Sequence, residues 1–391
     1  MSQLDTQDLE DILNGACILA CGGGGPYSLG QKLVAAIAAL PVVDFVDPSD
    51  VDGAAQMAVS AGVGSPDAAM LPGKPNIGDV AVTAYDALAE HLGVTFPYVL
   101  PGEVGAANSL VPVYVAAKKG LPVVDVSGAP RAMPLFDMTS FEGHVPVTPV
   151  MMTDGTTEVC FDAERNGAPS SQVADQTARA IVSGGSFGDI AGVAMFPMTG
   201  SQMQNFGMQH TLSRARDLGA TLRRAKDGGH DPVEAVADFL GGRVLFMADT
   251  FVQREQSGGG FDIGFVDLKN TDGTVTLIAQ NENIFGWTFA HAEPIGLGPD
   301  FLCYLTEDGH PFSNADPDIP ARAEKEHKRI ALIGVPASNF GYRTPSVIEA
   351  WMGCIGALGY AGPFVPIEQL PSWPAVPGGR AASALGGTTS T

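Results

Sequence analysis

The sequence predicts an α/β N-terminal domain with a partly parallel sheet, then a helical segment and a smaller β-rich C-terminal domain. Short apolar strands alternate with helical patterns over residues 1–160, which is typical of an α/β layer. Beyond it, helical patterns are separated by glycine pairs, and from residue 242 strands bounded by Gly, Asp or Asn turns dominate. The expected division is 1–172 for the α/β domain, 173–241 for the helical segment packed with it, 242–370 for the β-rich domain and 371–391 for a flexible tail.

The elements of the first half follow one another at short intervals. Thr6 precedes apolar residues at helical spacing, so a capped helix is expected over 4–21, running into a glycine loop. Apolar periodicity and Pro or Gly turns define the other elements in the same way. Helices are expected at 29–40, 81–92, 108–119, 173–182, 212–225 and 233–240. Strands are expected at 42–46, 56–64, 98–100, 122–125, 243–246, 264–268, 275–279, 301–305 and 329–335.

Composition narrows the class of protein. Apolar residues make up 45% of the 391 residues and charged residues 16%, as in folded globular chains. A net charge of −22 argues against nucleic acid or an anionic membrane as partner, because phosphate contacts need a basic patch. No signal peptide or bilayer-length apolar stretch is recognisable. Five cysteines without a C-x-x-C pair argue against disulfides and structural zinc. We expect a cytoplasmic homo-oligomer that binds a small-molecule substrate.

Four consecutive glycines follow a cysteine in the first domain. Gly22, Gly23, Gly24 and Gly25 let the backbone adopt positive φ and approach a ligand with its N–H groups turned outward. The helix that follows offers its N-terminus to an anionic group, and a thiolate is favoured at Cys21. The loop matches neither the Walker nor the Rossmann spacing. The alternative is a tight turn in which Cys21 is a small buried residue.

Polar side chains follow the ends of predicted strands. Because ligands of open α/β sheets bind beyond the carboxyl ends of the strands, we expect Cys21, Glu103 and Asp125 to share one rim. Glu103 stands among apolar neighbours, where burial raises the pKa of a carboxyl group and suits it to acid or base chemistry. Asn108 contacts the substrate or caps a helix. Arg131 follows on the same rim.

Several of these polar residues have a structural alternative. Arg131 lies between Asp125 and Asp137 along the chain, an arrangement that also suits a turn with an ion pair. Arg214 lies on the first turns of a predicted helix, where it binds an anion, faces solvent or pairs with a carboxylate. No G-x-S-x-G motif supports a serine hydrolase.

The second half contributes a dense polar cluster. Gln280, Asn281, Glu282 and Asn283 come directly after an apolar strand, where they serve a ligand, a cation or a turn.

A metal site is the other possibility that the second half raises. His291 with Glu293 and Asp300 would supply metal ligands, but their spacing matches no metal motif, and a structural role for the histidine is favoured. No cofactor is predicted, and dependence on a divalent metal stays open.

Five motifs in order support a family resemblance: ACGGGGPY, PGEVGAANSLVP, GLPVVDVSGAPRAMPLFDM, HTLSRARDLG and the stretch from GGGFDIG to AQNEN. From about residue 7 to about residue 370 the chain resembles the DUF917 family, described as S-methyl thiohydantoin desulfurase. The resemblance implies an α/β N-terminal domain and a smaller β-rich C-terminal domain. It also implies hydrolysis of an S-methyl thiohydantoin carrying a propionate to the hydantoin, with release of methanethiol, in ergothioneine catabolism. Its members accompany hydantoinase and oxoprolinase subunits.

The resemblance and the residues together suggest roles. Cys21 is expected to be the nucleophile, or Glu103 or Asp125 activates water in its place. The glycine N–H groups stabilise negative charge, and Arg131 or Arg214 binds the substrate carboxylate. The full set expected to contact the substrate is Gly22, Gly23, Gly24, Gly25, Asn108, Arg131, Asp137, Arg214, Asn281 and Glu282.

Two alternative functions stay open at this point. One is a hydantoin or lactam hydrolase, or an accessory subunit of a hydantoinase/oxoprolinase complex. The other is a non-catalytic protein that binds a small anion.

Overall fold

The computed structural model describes residues 2–65, 73, 76–184, 187–288, 293–371 and 373. Ten α-helices lie within these ranges: α1 Thr6–Leu19, α2 Tyr27–Ala38, α3 Ile77–Leu92, α4 Val111–Lys119, α5 Ser171–Ser183, α6 Gly200–Phe206, α7 Thr211–Asp227, α8 Pro232–Leu240, α9 Asp318–Lys325 and α10 Pro345–Ala357. None of the helices in the described ranges is both long and apolar enough to cross a membrane.

Strands of the first half come in chain order as β1 Ser2–Leu4, β2 Val43–Val46, β3 Gln56–Gly64, β4 Tyr98–Leu100, β5 Val123–Val124, β6 Val126–Ser127, β7 Val150–Thr153, β8 Glu158–Phe161, β9 Glu164–Arg165, β10 Ala168–Pro169, β11 Ile190–Thr199 and β12 Met208–Gln209. Those of the second half are β13 Arg243–Ala248, β14 Thr250–Gly258, β15 Phe261–Asn270, β16 Gly273–Gln280, β17 Glu282–Thr288, β18 Pro294–Leu297, β19 Phe301–Thr306 and β20 Ile330–Val335.

The first half is built on an eight-stranded mixed sheet in the order β1-β2-β5-β4-β3-β11-β7-β8. The neighbours among β2, β5, β4 and β3 run parallel, and the remaining pairs are antiparallel. Apolar side chains of α1 to α4 cover one face of this sheet, and α5 with the turn around Phe136 covers the other. The partly parallel sheet predicted from the sequence is therefore confirmed.

The second half is rich in antiparallel strands, as predicted. One sheet has three strands in the order β13-β20-β19, and another has five in the order β14-β15-β16-β17-β18. A third apolar core joins α1, α7, α8 and α10 to these sheets. The glycine loop that follows α1 therefore lies at the junction between the two halves.

Several features of the elements differ from the sequence-based prediction, among them β14 and α9, which were not expected, and the three that follow. Asp5, not Thr6, caps α1. The Asp5 side chain accepts from the backbone N–H of Asp8, and the Asp8 side chain accepts from the backbone N–H of Asp5. β11 lies within the stretch expected to be helical and pairs with β3 and β7 at the centre of the sheet. The third is α10, which follows the last predicted strand. The proposed domain boundaries stay predictions, and the tail expected over 371–391 lies outside the described residues except for 371 and 373.

Helices α1 and α7 pack so closely that side chains are absent at two crossing points. A Cβ atom on Gly15 would lie 1.8 Å from the carbonyl oxygen of Ala215, and one on Gly219 would lie 1.9 Å from that of Asp11. Both contacts are with backbone, which cannot rotate away. Glycine at these positions allows the two helix backbones to touch.

We predict that Gly15→Ala destabilises the fold by about 3 kcal/mol or more, because the added methyl group forces α1 away from α7. Gly353→Ala is the matched control, since Gly353 is an exposed helical glycine with no atom within 4 Å of the added Cβ. That substitution should raise stability by up to about 1 kcal/mol through helix propensity. Urea unfolding of both variants measures the difference, and equal stability of the two would contradict the packing argument.

Candidate functional site

A cavity of about 100 Å³ lies where the glycine loop, the carboxyl ends of β3 and β4, and the β16–β17 turn meet. Its polar lining comes from Glu103, Asn108, Arg179, Asn281 and Glu282. The apolar side is made by Leu29, Ala61, Val63, Ile77, Ala107, Met133, Phe136, Ile190, Val193 and Met195, and the remaining lining residues are Gly24, Gly25, Pro26, Gly62, Gly64, Ser65 and Gly102.

The glycine loop is held by both halves of the chain. Gly22, Gly24 and Gly25 all adopt positive φ. The carbonyl oxygen of Gly22 accepts from the N–H of Asn314 at 2.7 Å, and that of Gly24 accepts from the N–H of Ala107 at 2.9 Å. In the described part of the chain, no hydrogen bond uses the N–H groups of Gly24 and Gly25, and both residues line the cavity.

The helix N-terminus that follows this loop binds a carboxylate of the protein itself. The Asp316 side chain accepts from the N–H groups of Tyr27 at 2.7 Å and Ser28 at 3.2 Å, at the start of α2. A carboxylate there satisfies N–H groups that have no partner within the helix and complements the helix dipole. The anion expected at this position is therefore Asp316 of the second half.

Glu103 reaches the cavity from the loop after β4 and is 8% exposed. One carboxyl oxygen accepts from the side-chain amide of Asn108 at 2.8 Å, and the other accepts from the N–H of Met133 at 2.9 Å. Asn108 is itself oriented by the N–H of Gly62, which donates to its Oδ1 at 3.0 Å. Burial raises the pKa of Glu103, although these two donors hold the rise back.

Glu282 reaches the same cavity from the first residue of β17 and is 2% exposed. Its side chain packs against the loop so closely that a Cβ on Gly23 would lie 2.2 Å from the carboxyl Oε1. The other oxygen, Oε2, is buried and has no hydrogen-bond partner among the described residues. Burial raises the pKa of Glu282 well above its ordinary value, and the charge of Glu103 adds to the rise. The two carboxyl groups therefore differ in bonding.

Arg179 of α5 supplies a positive charge to the lining. Its Nη1 donates to the carbonyl oxygen of Gly260 and its Nη2 to that of Pro134, both at 2.6 Å. The guanidinium lies 3.8 Å above the ring of Phe261. Among the described residues its Nε has no hydrogen-bond partner, and Asp175 Oδ2 lies 3.6 Å from it. Arg179 was not foreseen from the sequence. Its signal is an Asp and an Arg four residues apart beside the apolar stripe of a helix.

Asn281 is placed by a turn that joins β16 to β17. It adopts a φ of 60°, and its backbone N–H and side-chain oxygen both bond to the backbone of Asp262 at 2.8 Å. The Asp262 carboxylate in turn accepts from the Ser65 hydroxyl at 3.1 Å. Of the polar cluster seen in the sequence, Asn281 and Glu282 reach the cavity, and the Asn283 side chain bonds inward to Leu302 and Tyr304.

Cys21 is enclosed in the protein and does not line the cavity. It is 0% exposed, and its Sγ lies 3.8 Å from the Sγ of Cys303. Burial raises the pKa of the Cys21 thiol, but the hydrogen bond from Cys303 and the charge of Arg131 outweigh it and lower the pKa overall. The lowered pKa does not give the thiol access to a substrate in the cavity, because its side chain lies in the apolar core.

Asp125 caps a helix instead of facing the cavity. Its carboxylate accepts from the N–H groups of Leu212 and Ser213 at 3.0 Å and from the Ser213 hydroxyl, at the start of α7. The N-cap residue of α7, His210, makes no capping hydrogen bond through its side chain, and its ring Nδ1 lies 3.4 Å from Asp125 Oδ2. The common rim expected for Cys21, Glu103 and Asp125 is therefore not formed, because two of the three bond to helix ends or to the core.

The other predicted anion-binding residues also lie away from the cavity. Arg131 is fully buried and donates to backbone carbonyl groups. Arg214 donates to the carbonyl oxygen of Asn339 and lies 3.7 Å above the ring of Phe340. Asp137 is also absent from the lining; burial and the charges of neighbouring acids raise its pKa to about 6.

The metal site considered from the sequence does not form among the described residues. The Asp300 carboxylate accepts from Nε of Arg343 at 2.8 Å and from its Nη2 at 2.7 Å, and it also accepts from two backbone N–H groups. Its oxygens are thereby occupied within the fold. His291 lies outside the described residues. Within the described ranges, no group of three or more His, Cys, Asp or Glu side chains is arranged to hold a metal ion.

Two family models match this chain, one in each half of the fold. A family model described as "S-Me-THD-like, N-terminal domain" matches residues 7–162, and one described as "S-Me-THD-like, C-terminal domain" matches residues 169–367. An X-ray structure of a structural-genomics protein from Chromobacterium violaceum is similar at 28% identity and a TM-score of 0.79, covering 94% of this chain and 100% of that one. A search of curated proteins found no match.

The raised pKa of Glu282 predicts how stability depends on pH. Above the ordinary pKa of 4.5, the unfolded chain loses the Glu282 proton while the folded protein retains it. The contribution of Glu282 to the unfolding free energy therefore falls as pH rises from 4.5 through the folded pKa. Glu282→Gln removes this loss. The unfolding free energy of the variant should therefore increase relative to the original protein from pH 5 to pH 8, by about 1.4 kcal/mol for each unit by which the pKa is raised.

Glu368→Gln is the control with the opposite sign. The hydrogen bond from Arg343 lowers the pKa of Glu368, so its contribution is present above pH 4.5 and is lost on acidification. This variant should lose stability relative to the original protein as pH rises. Urea titrations at pH 3, pH 5 and pH 8 measure both trends, because the stability of Glu368→Gln should change between pH 3 and pH 5 and that of Glu282→Gln between pH 5 and pH 8. A pH-independent effect of Glu282→Gln from pH 5 to pH 8 would show that the group is ionised in the folded state.

Proposed function

The chain belongs to the S-Me-THD-like family, and from this membership and the cavity geometry we propose that it is a hydrolase of a small five-membered cyclic amidine, with an S-methyl thiohydantoin as substrate. The observation that carries the proposal is the pair Glu103 and Glu282, two buried carboxyl groups with different bonding on one cavity. Engineered cavities of about 150 Å³ take up benzene. A volume of about 100 Å³ is therefore on the scale of one small ring.

The proposed reaction is addition of water followed by elimination of a thiol. Water adds to the ring carbon that is double-bonded to nitrogen and carries the S-methyl group, and the ring nitrogen takes up a proton. The carbon–sulfur bond then breaks, the sulfur leaves with a proton as methanethiol, and a carbonyl group remains in the ring. The products are hydantoin and methanethiol, and no oxidant or reductant is consumed.

Glu103 is the proposed general base. Both of its oxygens accept N–H bonds, which favours the ionised carboxylate. A carboxylate has about four acceptor positions, so lone pairs remain for a proton of the attacking water. The raised pKa brings its basicity closer to neutral pH than that of an exposed glutamate.

Glu282 is the proposed general acid. Its Oε2 receives no hydrogen bond from the described residues, and its burial favours the protonated form. A protonated carboxyl group donates its proton to the ring nitrogen during addition. When the intermediate collapses, the resulting carboxylate takes up the proton of the hydroxyl group, and Glu103 passes the proton of the attacking water to the departing sulfur. Two carboxyl groups whose surroundings separate their pKa values are the usual arrangement for such paired roles.

The rest of the lining supports binding of a ring with polar and apolar edges. The N–H groups of Gly24 and Gly25 are available for a ring carbonyl oxygen of the substrate. Arg179 is the cationic residue of the lining that would bind an anionic substituent of the ring. Among the wall residues, Met133 and Met195 offer an apolar surface to the S-methyl group. In this proposal Arg179 takes the role that the sequence suggested for Arg131 or Arg214, and water replaces Cys21 as nucleophile.

The first test of the reaction is product analysis. We expect incubation with S-methyl thiohydantoins to yield hydantoin by mass spectrometry and methanethiol by thiol titration, in equal amounts. Hydantoins and lactams serve as the comparison panel, and all incubations are run with and without chelator. Ring opening of the panel compounds without thiol release would favour the hydantoin or lactam hydrolase instead. Binding of the ring without any product would favour an anion-binding protein. Cytoplasmic location, self-association and pairing with a hydantoinase/oxoprolinase subunit stay predictions.

The second test separates the carboxyl mechanism from a covalent thiol mechanism. Glu103→Gln and Glu282→Gln should each lower kcat by about a hundredfold or more, because each removes a proton-transfer group. Cys21→Ala should retain kcat within a few-fold in folded protein. Circular dichroism checks folding of each variant. Full loss of turnover in folded Cys21→Ala, with turnover preserved in the glutamine variants, would overturn the assignment.

A further inference from the structure

Arg131 is a cation sealed inside the protein without an acidic partner at bonding distance. It is 0% exposed, and among the described residues its guanidinium donates only to backbone carbonyl oxygens. It also stacks on aromatic rings, with Trp351 at 4.5 Å and Phe301 at 5.5 Å. These contacts satisfy its N–H groups but do not neutralise its charge. A buried charge of this kind is costly unless a negative charge compensates it.

One of the carbonyl groups that Arg131 binds belongs to the backbone beside Glu282. Its Nη2 donates to the carbonyl oxygen of Asn283, the residue after Glu282, at 3.0 Å. Its Nη1 donates to the carbonyl oxygen of Asp300 at 2.7 Å, at the start of the neighbouring sheet. The guanidinium, which comes from the first half, therefore bonds both to the β17 end of the cavity and to the residue that precedes β19 in the second half.

The backbone next to Arg131 holds the other carboxyl group. Met133, two residues further on, donates its N–H to Glu103 Oε2 at 2.9 Å. One three-residue segment thus bonds to Glu103 through its main chain and to the backbone beside Glu282 through a side chain. A shift of this segment moves both carboxyl groups at once.

Five titratable groups face this cation. They are Glu103 from the β4 loop, Glu282 from β17, Cys21 from the glycine loop, Cys303 from β19 and Tyr342 before α10. Burial raises the pKa of both glutamates, and the charge of Arg131 acts against that rise. Glu103 is the member of the glutamate pair with two N–H donors, so it is the better place for one negative charge.

We propose that Arg131 is a positioning residue for the proposed hydrolysis: its buried guanidinium fixes the spacing of Glu103 and Glu282 and balances one negative charge shared by the two carboxyl groups. This inference rests on the proposed function only for its kinetic test. The charge state of the pair is a property of the protein without substrate.

The kinetic test compares Arg131→Met with Arg131→Lys. Removing the charge with methionine should move the acidic limb of the kcat/KM profile upward by about one pH unit or more, because Glu103 then ionises without a nearby cation. Lysine keeps the positive charge, so the acidic limb should stay in place. Its single amino group cannot bond to the carbonyl oxygens of Asn283 and Asp300 as the two Nη atoms of Arg131 do, so kcat should fall. Arg243→Met, which removes a guanidinium stacked 5.0 Å above Trp373, is the control and should leave the limb unchanged. A limb that does not move in folded Arg131→Met overturns the proposal.

A titration of the original protein tests the same idea without depending on turnover or on an Arg131 variant. Carbon-13 NMR of protein labelled at glutamate carboxyl carbons, assigned with Glu103→Gln and Glu282→Gln, should show Glu103 ionised and Glu282 protonated at pH 7. Both groups protonated with Cys21 as thiolate, or both ionised, would overturn the proposal. Because no substrate is present, absence of turnover on S-methyl thiohydantoins would refute the proposed function and leave this result standing.

Discussion

The close approach of backbone to backbone at the glycine loop is the constraint on which the rest of the site depends. Gly23 leaves the space that the Glu282 side chain fills, and Gly24 lies against Gly105, where a Cβ would be 2.4 Å from the neighbouring Cα. The loop carbonyls accept N–H bonds from both halves. A side chain on Gly23 would push Glu282 of the second half away, and one on Gly24 would displace the loop after β4, so the cavity depends on glycine at both positions.

Charge in the interior is arranged around this junction. Asp316 occupies the α2 N-terminus, and Asp125 occupies the α7 N-terminus, so each carboxylate binds N–H groups that the helix leaves without partners. Two carboxylates are thereby used for assembly. Glu103 and Glu282 remain on the cavity with buried arginines near them, and in the proposed function they are the acids that transfer protons.

Part of the site was predictable because local patterns carry it. Glu103 follows a short apolar strand and stands between glycines, and Glu282 follows another such strand, so a strand-end rule finds both. The same rule chose Asp125, which instead caps a helix that begins 86 residues later along the chain. Cys21 ends a helix whose position in the apolar core follows from packing against distant strands. Arg179 was missed because nothing near it in sequence shows that α5 faces the cavity.

The sequence by itself determined many of the elements, the partly parallel sheet, the β-rich second half and the family, because these depend on periodicity, turn residues and ordered motifs that lie along the chain. Only the tertiary structure decided which polar groups face a common space. The sequence does not distinguish an Asp or Glu that caps a helix from one that lines a cavity. Its role depends on which distant backbone N–H groups reach it, and packing of the two halves determines that.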